Sequence, residues 1–325
     1  LIIVQSPLRV SLFGGGTDFP AYFREDGGCV LTTAIDKYIF VTVKERFDDF
    51  VRVGYTQTEM VEEVGEVRHG LIREALRMTG LSRGIEITTM GDIPSAGSGL
   101  GSSSTVTVGA LHAMYAYRGE LVSAQRLAQE ACRIEIDILD KPIGVQDQYI
   151  AAFGGLRFLE FHQDGKVTTA RLSLDAETQR QLDQNLLLFY TGTTRSSDSI
   201  LEEQANNMSA KKGILSRFKS IAYCAREELQ RGNPSALGEL LDEAWRLKKQ
   251  LASKISNPVI DQLYERAKTC GAVGGKLTGA GGGGFLLVYC PIENQSRLRH
   301  ELLDLKELPF QSEFDGSKVI FNYRR

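Results

Sequence analysis

Over roughly the first 55 residues, apolar and polar positions follow the pattern of strands. "GGCVLTTAI" and "KYIFVTVKERF" are rich in β-branched and aromatic side chains and are divided by Asp36. The spacing of Val67, Leu71, Ile72, Ala75 and Leu76 predicts a helix over 65–79, and "GIEITTMG" a short strand. From Gly101 to about Tyr117, the spacing of Val106, Ala110, Leu111 and Met114 suits a buried helix. "SAQRLAQEACRIEIDIL" predicts a second helix with Ser123 as its N-cap. Strands are expected at 155–161, 167–172 and 186–190. The second half is more helical, with periodic runs over 198–231, 234–253 and 258–269. "GAVGGKLTGAGGGGFLLVY" interrupts that pattern with glycine and ends in a strand; a helix over 294–304 and a strand over 318–322 follow. The texture changes near 175–185, which divides the chain into domains of 1–180 and 181–325 without a repeat or a polar linker. The class is α+β: a strand-rich half with inserted helices, then a sheet with helices on one side.

Composition narrows the function. A chain of 325 residues has ample length for a core. Its 38 basic and 41 acidic residues give a net charge of −3 with no long single-sign run, which argues against nucleic acid as a partner. No apolar run approaches the roughly 20 residues that span a bilayer, so no membrane partner is expected. The start, "LIIVQSPLRV", lacks the charged and long apolar regions of a signal peptide. Cys29, Cys132, Cys224, Cys270 and Cys290 are scattered, odd in number and never in C-x-x-C spacing. That usage fits reduced thiols in a cytoplasmic protein. His69, His112, His162 and His300 are equally dispersed, against a His-rich metal site.

The densest chemistry lies in "PSAGSGLGSSSTVTVGAL", Pro94 to Leu111. Gly97, Gly99 and Gly101 alternate into Ser102, Ser103, Ser104 and Thr105, and then into an apolar helix. Glycine permits positive φ and lets a ligand approach the backbone. The first amides of the helix lack internal partners, and its dipole is positive at that end. Together these make an anion site, most naturally for phosphate, and one of the hydroxyls could ligate Mg²⁺. A flexible Gly/Ser linker would not feed straight into an apolar helix. Neither the Walker A spacing nor the dinucleotide G-x-G-x-x-G spacing is present. On spacing alone the loop says phosphate. Two further segments narrow this reading: "SPLRVSLFGGGTDFPAYF" (6–23), a strand and glycine turn ahead of Thr17-Asp18, and "GGKLTGAGGGGFLLV" (274–288), a glycine-dense turn between strands.

These three segments, in this order, resemble the three motifs of the GHMP small-molecule kinases, over Ser6 to Phe285. "GGGTDFPAYF", "FYTGTTRSS" and "WRLKKQLASKISNP" are similar to the versions found in bacterial D-glycero-α-D-manno-heptose 7-phosphate kinases. The resemblance implies a two-domain fold, a ribosomal-protein-S5-like N-terminal domain and a ferredoxin-like C-terminal domain, with the active site between them. It implies ATP and Mg²⁺ as cofactors. ATP would be held by Gly97, Ser98, Gly99, Leu100, Gly101, Ser102, Ser103 and Ser104. "RIEIDILDKPIGVQDQYIAAFGG" resembles the family segment in which Glu135 would ligate Mg²⁺ with Ser103 and Asp147 would act as base. Arg9 would sit beside Asp147, where a guanidinium favours a charged carboxylate. From the residues alone, Glu135 could equally lie on a solvated helix face, Asp147 could be an ordinary helix N-terminal acid, and Arg9 could point to solvent.

On the substrate side, the resemblance implies Thr17, Asp18, Gly279 and Gly281, with Arg195 and, more weakly, Lys248 for a sugar phosphate. Arg195 could instead approach the nucleotide phosphates. The implied reaction transfers phosphate to the anomeric 1-hydroxyl of the heptose 7-phosphate, giving a 1,7-bisphosphate for GDP-heptose and surface polysaccharide synthesis. The implied partner is a small phosphorylated sugar; monomer and homodimer both stay open. Other readings are a GHMP kinase for fucose, galactose or a sugar acid, and a non-catalytic sugar-binding regulator. Galactokinases carry Glu-His where this chain has Gly15-Gly16, which argues against galactose. Ser95 and Ala96 intervene where the family pattern has one residue, which predicts a local bulge. The adenine pocket is expected between Lys44 and Val53 by family analogy.

Overall fold

The computed structural model of the chain describes residues 1–94, 97–193 and 198–323. It opens with β1 (Ile2–Phe13), α1 (Pro20–Asp26), β2 (Gly28–Glu45), β3 (Val51–Gly54) and β4 (Thr58–Val61). Next come α2 (Gly70–Thr79), β5 (Ile85–Gly91), α3 (Ser102–Arg118), α4 (Ala124–Cys132), α5 (Gln146–Phe153), β6 (Leu156–Phe161) and β7 (Val167–Arg171). The second half runs through α6 (Ala176–Asn185), β8 (Leu186–Tyr190), α7 (Asp198–Asn207), α8 (Lys212–Gln230), α9 (Ala236–Lys248) and α10 (Pro258–Thr269). β9 (Gly274–Leu277), β10 (Phe285–Tyr289), α11 (Gln295–Glu301), β11 (Lys306–Leu308) and β12 (Lys318–Asn322) complete it. The architecture is α+β. Among the described residues, no helix is long and apolar enough to cross a membrane.

The first sheet has the order β12-β1-β2-β5-β3-β4, with β6 on the other stretch of β2 and β7 beyond it. The two apolar runs flanking Asp36 form one continuous strand, β2. Residues 28–35 are buried throughout, and burial alternates from Ile39 to Val43. The first stretch pairs with β6 and the second with β5, so one strand serves two wings of the sheet. β1 brings Val4, Leu8, Val10 and Leu12 into the core, each fully buried and worth about 1.5–3 kcal/mol of burial. α3 packs across β1 and β2 and is buried on nearly every side. Gly109 lets it come so close: a Cβ there would lie 3.0 Å from both Ser6 Oγ and Val41 Cγ2.

The second sheet is antiparallel, in the order β11-β8-β10-β9. α9 crosses β9 where a Cβ on Gly274 would lie 2.0 Å from the Gly238 carbonyl oxygen. That close crossing sets the end of α9, and Lys248 with it, against the turn after β9. β12 does not stay with this sheet. It returns to β1, with Ile2 opposite Asn322 and Ile3 opposite Phe321. A strand from beyond the expected division at 180/181 thus closes the edge of the first sheet. A five-residue apolar strand carries no sign of which sheet edge it will join.

Three helices were not predicted: α1, α5 and α6. α1 begins at Pro20, whose fixed φ suits a first helical turn, but it sits in a run read as strands. In α6 only Thr178 and Leu182 are buried, so its period is faint; Asp175 caps it through the amides of Glu177 and Thr178. All five cysteines are free thiols.

Candidate active site

A cavity of about 230 Å³ opens where the glycine turn after β1, the N-termini of α3 and α5, and the turn between β9 and β10 converge. Gly97, Gly99 and Gly101 have φ of +70°, +72° and +81°, and Gly101 is the N-cap of α3. Such alternation turns successive amides towards one side, as an anion-binding concavity requires. The same glycines fasten two loops together. A Cβ on Gly99 would lie 2.6 Å from the Thr278 carbonyl oxygen, and one on Gly279 2.6 Å from Gly99 Cα. Thr278 Oγ1 donates to the Ser98 carbonyl at 3.2 Å. The loop before α3 and the loop after β9 thus form one unit, and only bare backbone allows the contact.

Gly97, Ser98, Gly99, Gly101, Ser102, Ser103 and Ser104 all line the cavity. Ser98 and Ser102 share a hydrogen bond at 3.1 Å between their hydroxyls. Leu100 is the one residue of 97–104 that does not line the cavity. Its side chain is fully buried in the core, and its carbonyl accepts from the Arg9 amide at 3.0 Å. Gly279 and Gly281 line the cavity from the other loop. Residues 95 and 96, where the bulge was expected, lie outside the described residues.

α4 does not run on to Leu139. It widens into a π-helical turn over Arg133–Ile138, a local distortion common at functional sites. Glu135 sits on that turn and is fully buried rather than solvated. Its Oε1 accepts from Ser103 Oγ at 2.7 Å and its Oε2 from Gln148 Nε2 at 2.6 Å. Lys141 Nζ donates to Ser103 Oγ at 2.8 Å and lies 3.4 Å from Glu135 Oε1. Among the described residues, no group of three or more His, Cys, Asp or Glu side chains could hold a metal. The adjacent hydroxyl and carboxylate fit Mg²⁺, which takes few protein oxygens and fills its shell with water and phosphate.

Asp147 lies in the first turn of α5, where a helix N-terminus suits an acid. Arg9 grips both its oxygens, Nε on Oδ1 at 2.7 Å and the terminal nitrogen on Oδ2 at 2.6 Å, and also donates to the Gly99 carbonyl. Arg9 is nearly buried; Asp147 keeps 22% of its side chain exposed, towards the cavity it lines. A fixed carboxylate facing the glycine loop can take a proton from a hydroxyl placed between them.

The substrate side needs corrections. Thr17 is fully buried and does not line the cavity. Its hydroxyl donates to the Gly14 and Cys29 carbonyls at 2.8 Å each and accepts from the Cys29 amide, which ties the glycine turn to β2. Asp18 lines the cavity but is only 1% exposed. It accepts from the Gly16 amide on Oδ1, and from the Gln146 amide and Nε2 on Oδ2. Burial pushes its carboxyl pKa up against those bonds, and Asp147 adds to the rise. Lys248 lines the cavity and donates to the carbonyls of Leu277 and Gly279, so its amino group clamps the turn after β9. Burial pushes its pKa far down, with Lys276 and Arg9 adding. Arg195 lies outside the described residues. None of residues 44–53 is among the described residues that line the cavity.

Among the cavity-lining residues that were missed are Ser11, Lys141, Gln146 and Lys276. Lys276 is 7% exposed and donates to the Leu12 carbonyl at 3.0 Å. Burial, helped by Arg9, brings its pKa down to about 7. The one available signal was position, since each lies within or beside a motif: Ser11 two residues after Arg9, Gln146 just before Asp147, Lys276 opening "KLTGAGGGG".

The family model described as GHMP kinases N terminal domain matches residues 66–155, and that described as GHMP kinases C terminal matches 225–305. This chain therefore belongs to the GHMP kinases. It is an ATP-dependent phosphotransferase, a sugar kinase of that family. It is 31% identical over 302 residues, 89% of each chain, to the D-glycero-alpha-D-manno-heptose 7-phosphate kinase of Campylobacter jejuni. It is 28% identical over 326 residues to the L-fucokinase/L-fucose-1-P guanylyltransferase of Bacteroides fragilis, covering 87% of this chain and 34% of that one. A crystal structure of a D-glycero-D-manno-heptose 1-phosphate kinase from Bacteroides thetaiotaomicron superposes with a TM-score of 0.84, at 25% identity and full coverage of both chains.

Proposed function

We propose that this kinase phosphorylates the anomeric 1-hydroxyl of D-glycero-α-D-manno-heptose 7-phosphate, giving the 1,7-bisphosphate that GDP-heptose and surface polysaccharide synthesis require. The observation that carries the chemistry is the Arg9–Asp147 pair, held at the N-terminus of α5 and facing the glycine loop. Residues 97–104 and the N-terminus of α3 receive the triphosphate of ATP. Asp147 accepts the proton of the sugar hydroxyl as that oxygen attacks the γ-phosphorus. Arg9 keeps the carboxylate aimed throughout. Ser103 and Glu135 would hold Mg²⁺, which when bound neutralises charge on the phosphates. Phosphoryl transfer needs mainly positioning and charge compensation, and these residues supply both. The choice of a heptose 7-phosphate rests on the Campylobacter relative and on Gly15-Gly16, which leave room for a bulky sugar.

The fucokinase relative supports a second reading, the same transfer to a free sugar such as fucose. A phosphate-transfer assay across sugars with and without a terminal phosphate separates the two. The heptose 7-phosphate is expected to give a 1-phosphorylated product at the highest kcat/KM. No such product, or a preference for an unphosphorylated sugar, rejects the heptose proposal.

A further inference from the structure

We propose that Ser11 and Gln146, on either side of Gly15, form a subsite that reads neighbouring hydroxyls of the sugar. The inference rests on the cavity accepting a sugar and goes further, to which groups select it.

Ser11 is 6% and Gln146 8% exposed, and both line the cavity. Each has a buried polar atom with no partner within the protein: Ser11 Oγ and Gln146 Oε1. Buried polar atoms are nearly always paired, so two orphans on one cavity wall point to a ligand. The Gln146 amide cannot turn to satisfy itself. Its Nε2 donates to Asp18 Oδ2 at 3.0 Å, which directs Oε1 away from that carboxylate. Asp18 thus acts on the ligand through Gln146.

Gly15 is the second observation. Its φ is not positive, unlike those of Gly14 and Gly16, so its backbone could carry any residue. A Cβ there would come no nearer than 3.6 Å to Ser11 Oγ and 3.7 Å to Gln146 Nε2, so protein packing does not demand glycine either. The missing side chain leaves a gap between Ser11 Oγ and the Gln146 amide for a ligand to enter.

The atoms define its chemistry. Gln146 Oε1 only accepts, while the Ser11 hydroxyl both donates and accepts. Two adjacent sugar hydroxyls complete the set: one donates to Oε1, the other exchanges a bond with Ser11. A phosphate would bring acceptor oxygens against Oε1 and the Asp18 carboxylate, so the substrate's phosphate points elsewhere.

The test uses Ser11→Ala and Gln146→Met with the best sugar from the panel and its monodeoxy analogues. Each variant is expected to raise KM for the sugar by about tenfold or more, with KM for ATP unchanged. The deoxy sugar lacking the read hydroxyl should cost wild type a similar factor and cost the variant nothing further. Ser11 Oγ has no protein partner, so Ser11→Ala should melt at or above the wild-type temperature, which separates it from a folding defect. Sugar KM values within about twofold of wild type in Ser11→Ala, or deoxy penalties undiminished in the variants, overturn the subsite. A wild type that phosphorylates no sugar at all overturns the functional reading, and the subsite with it.

Discussion

Arg9 meets Asp147 and Gly99 at once, so one guanidinium fixes the proposed base relative to the phosphate loop. Asp147→Asn should keep the fold, since an amide still accepts from Arg9, and should lower kcat by roughly 10²–10⁴. A coupled assay beside a melting curve checks this; a variant with wild-type kcat would remove Asp147 from the chemistry. Lys276 gives a prediction in pH. Burial brings it from 10.5 to about 7, so between those values the unfolded chain holds a proton that the folded chain has lost. Stability attributable to this group therefore rises with pH across that window and is lost as pH falls towards 7. The Tm of Lys276→Met minus that of wild type should fall as pH is raised from about 7 to 10. A flat difference would mean that the lysine keeps its proton inside the fold. Arg9, Ser103, Glu135 and Asp147 were legible because each stands at a motif position. Ser11 and Gln146 were not, since a serine on a strand and a glutamine opening a helix are ordinary until their unpaired atoms are seen on one wall.

At the scale of elements, strong periodicity was readable and local distortion was not. The runs at 186–190 and 258–269 coincide with β8 and α10. The π-helical turn at Arg133–Ile138 was invisible, because widening a helix by one residue per turn changes no residue type. Yet that turn decides whether Glu135 faces solvent or is buried against Ser103 and Gln148. The loop before α3 was readable as a candidate phosphate binder and the turn after β9 as a candidate substrate contact, but not as partners of each other. That contact makes two substitutions diverge. Gly99→Ala puts a Cβ at φ +72° and 2.6 Å from the Thr278 carbonyl oxygen. It should cost about 1–3 kcal/mol and raise KM for ATP. Gly15→Ala meets neither strain nor clash. Its stability should stay within about 0.5 kcal/mol of wild type while KM for the sugar rises. Chemical denaturation with steady-state kinetics reads both; equal losses of stability would show that the two glycines serve the same purpose.

At the scale of the molecule, β1 carries Arg9 and Ser11 and takes β12, from the far end of the chain, along its edge. β12 has little burial of its own: Val319, Ile320 and Phe321 are 37%, 47% and 46% exposed. Its attachment rests on the β1 ladder and on Ser317, whose hydroxyl bonds Ser6 Oγ at 2.8 Å and His112 Nδ1 at 2.9 Å. His112 lies on α3, so this small network ties the closing strand to the helix that begins at the phosphate loop. Burial lowers the His112 pKa below 6.5, and burial lowers that of His69 too. As pH falls through 6.5, the unfolded chain takes up these protons before the folded one does. Stability present above 6.5 is therefore lost on the way down to the folded-state values. Wild type should melt progressively lower from about pH 7.5 to 5. His112→Asn keeps a polar partner for Ser317 without titrating, so its melting temperature should fall less steeply, with His69 supplying the remaining slope. Parallel slopes for variant and wild type would mean that His112 charges without cost, and would detach the acid sensitivity of the fold from the strand that closes it.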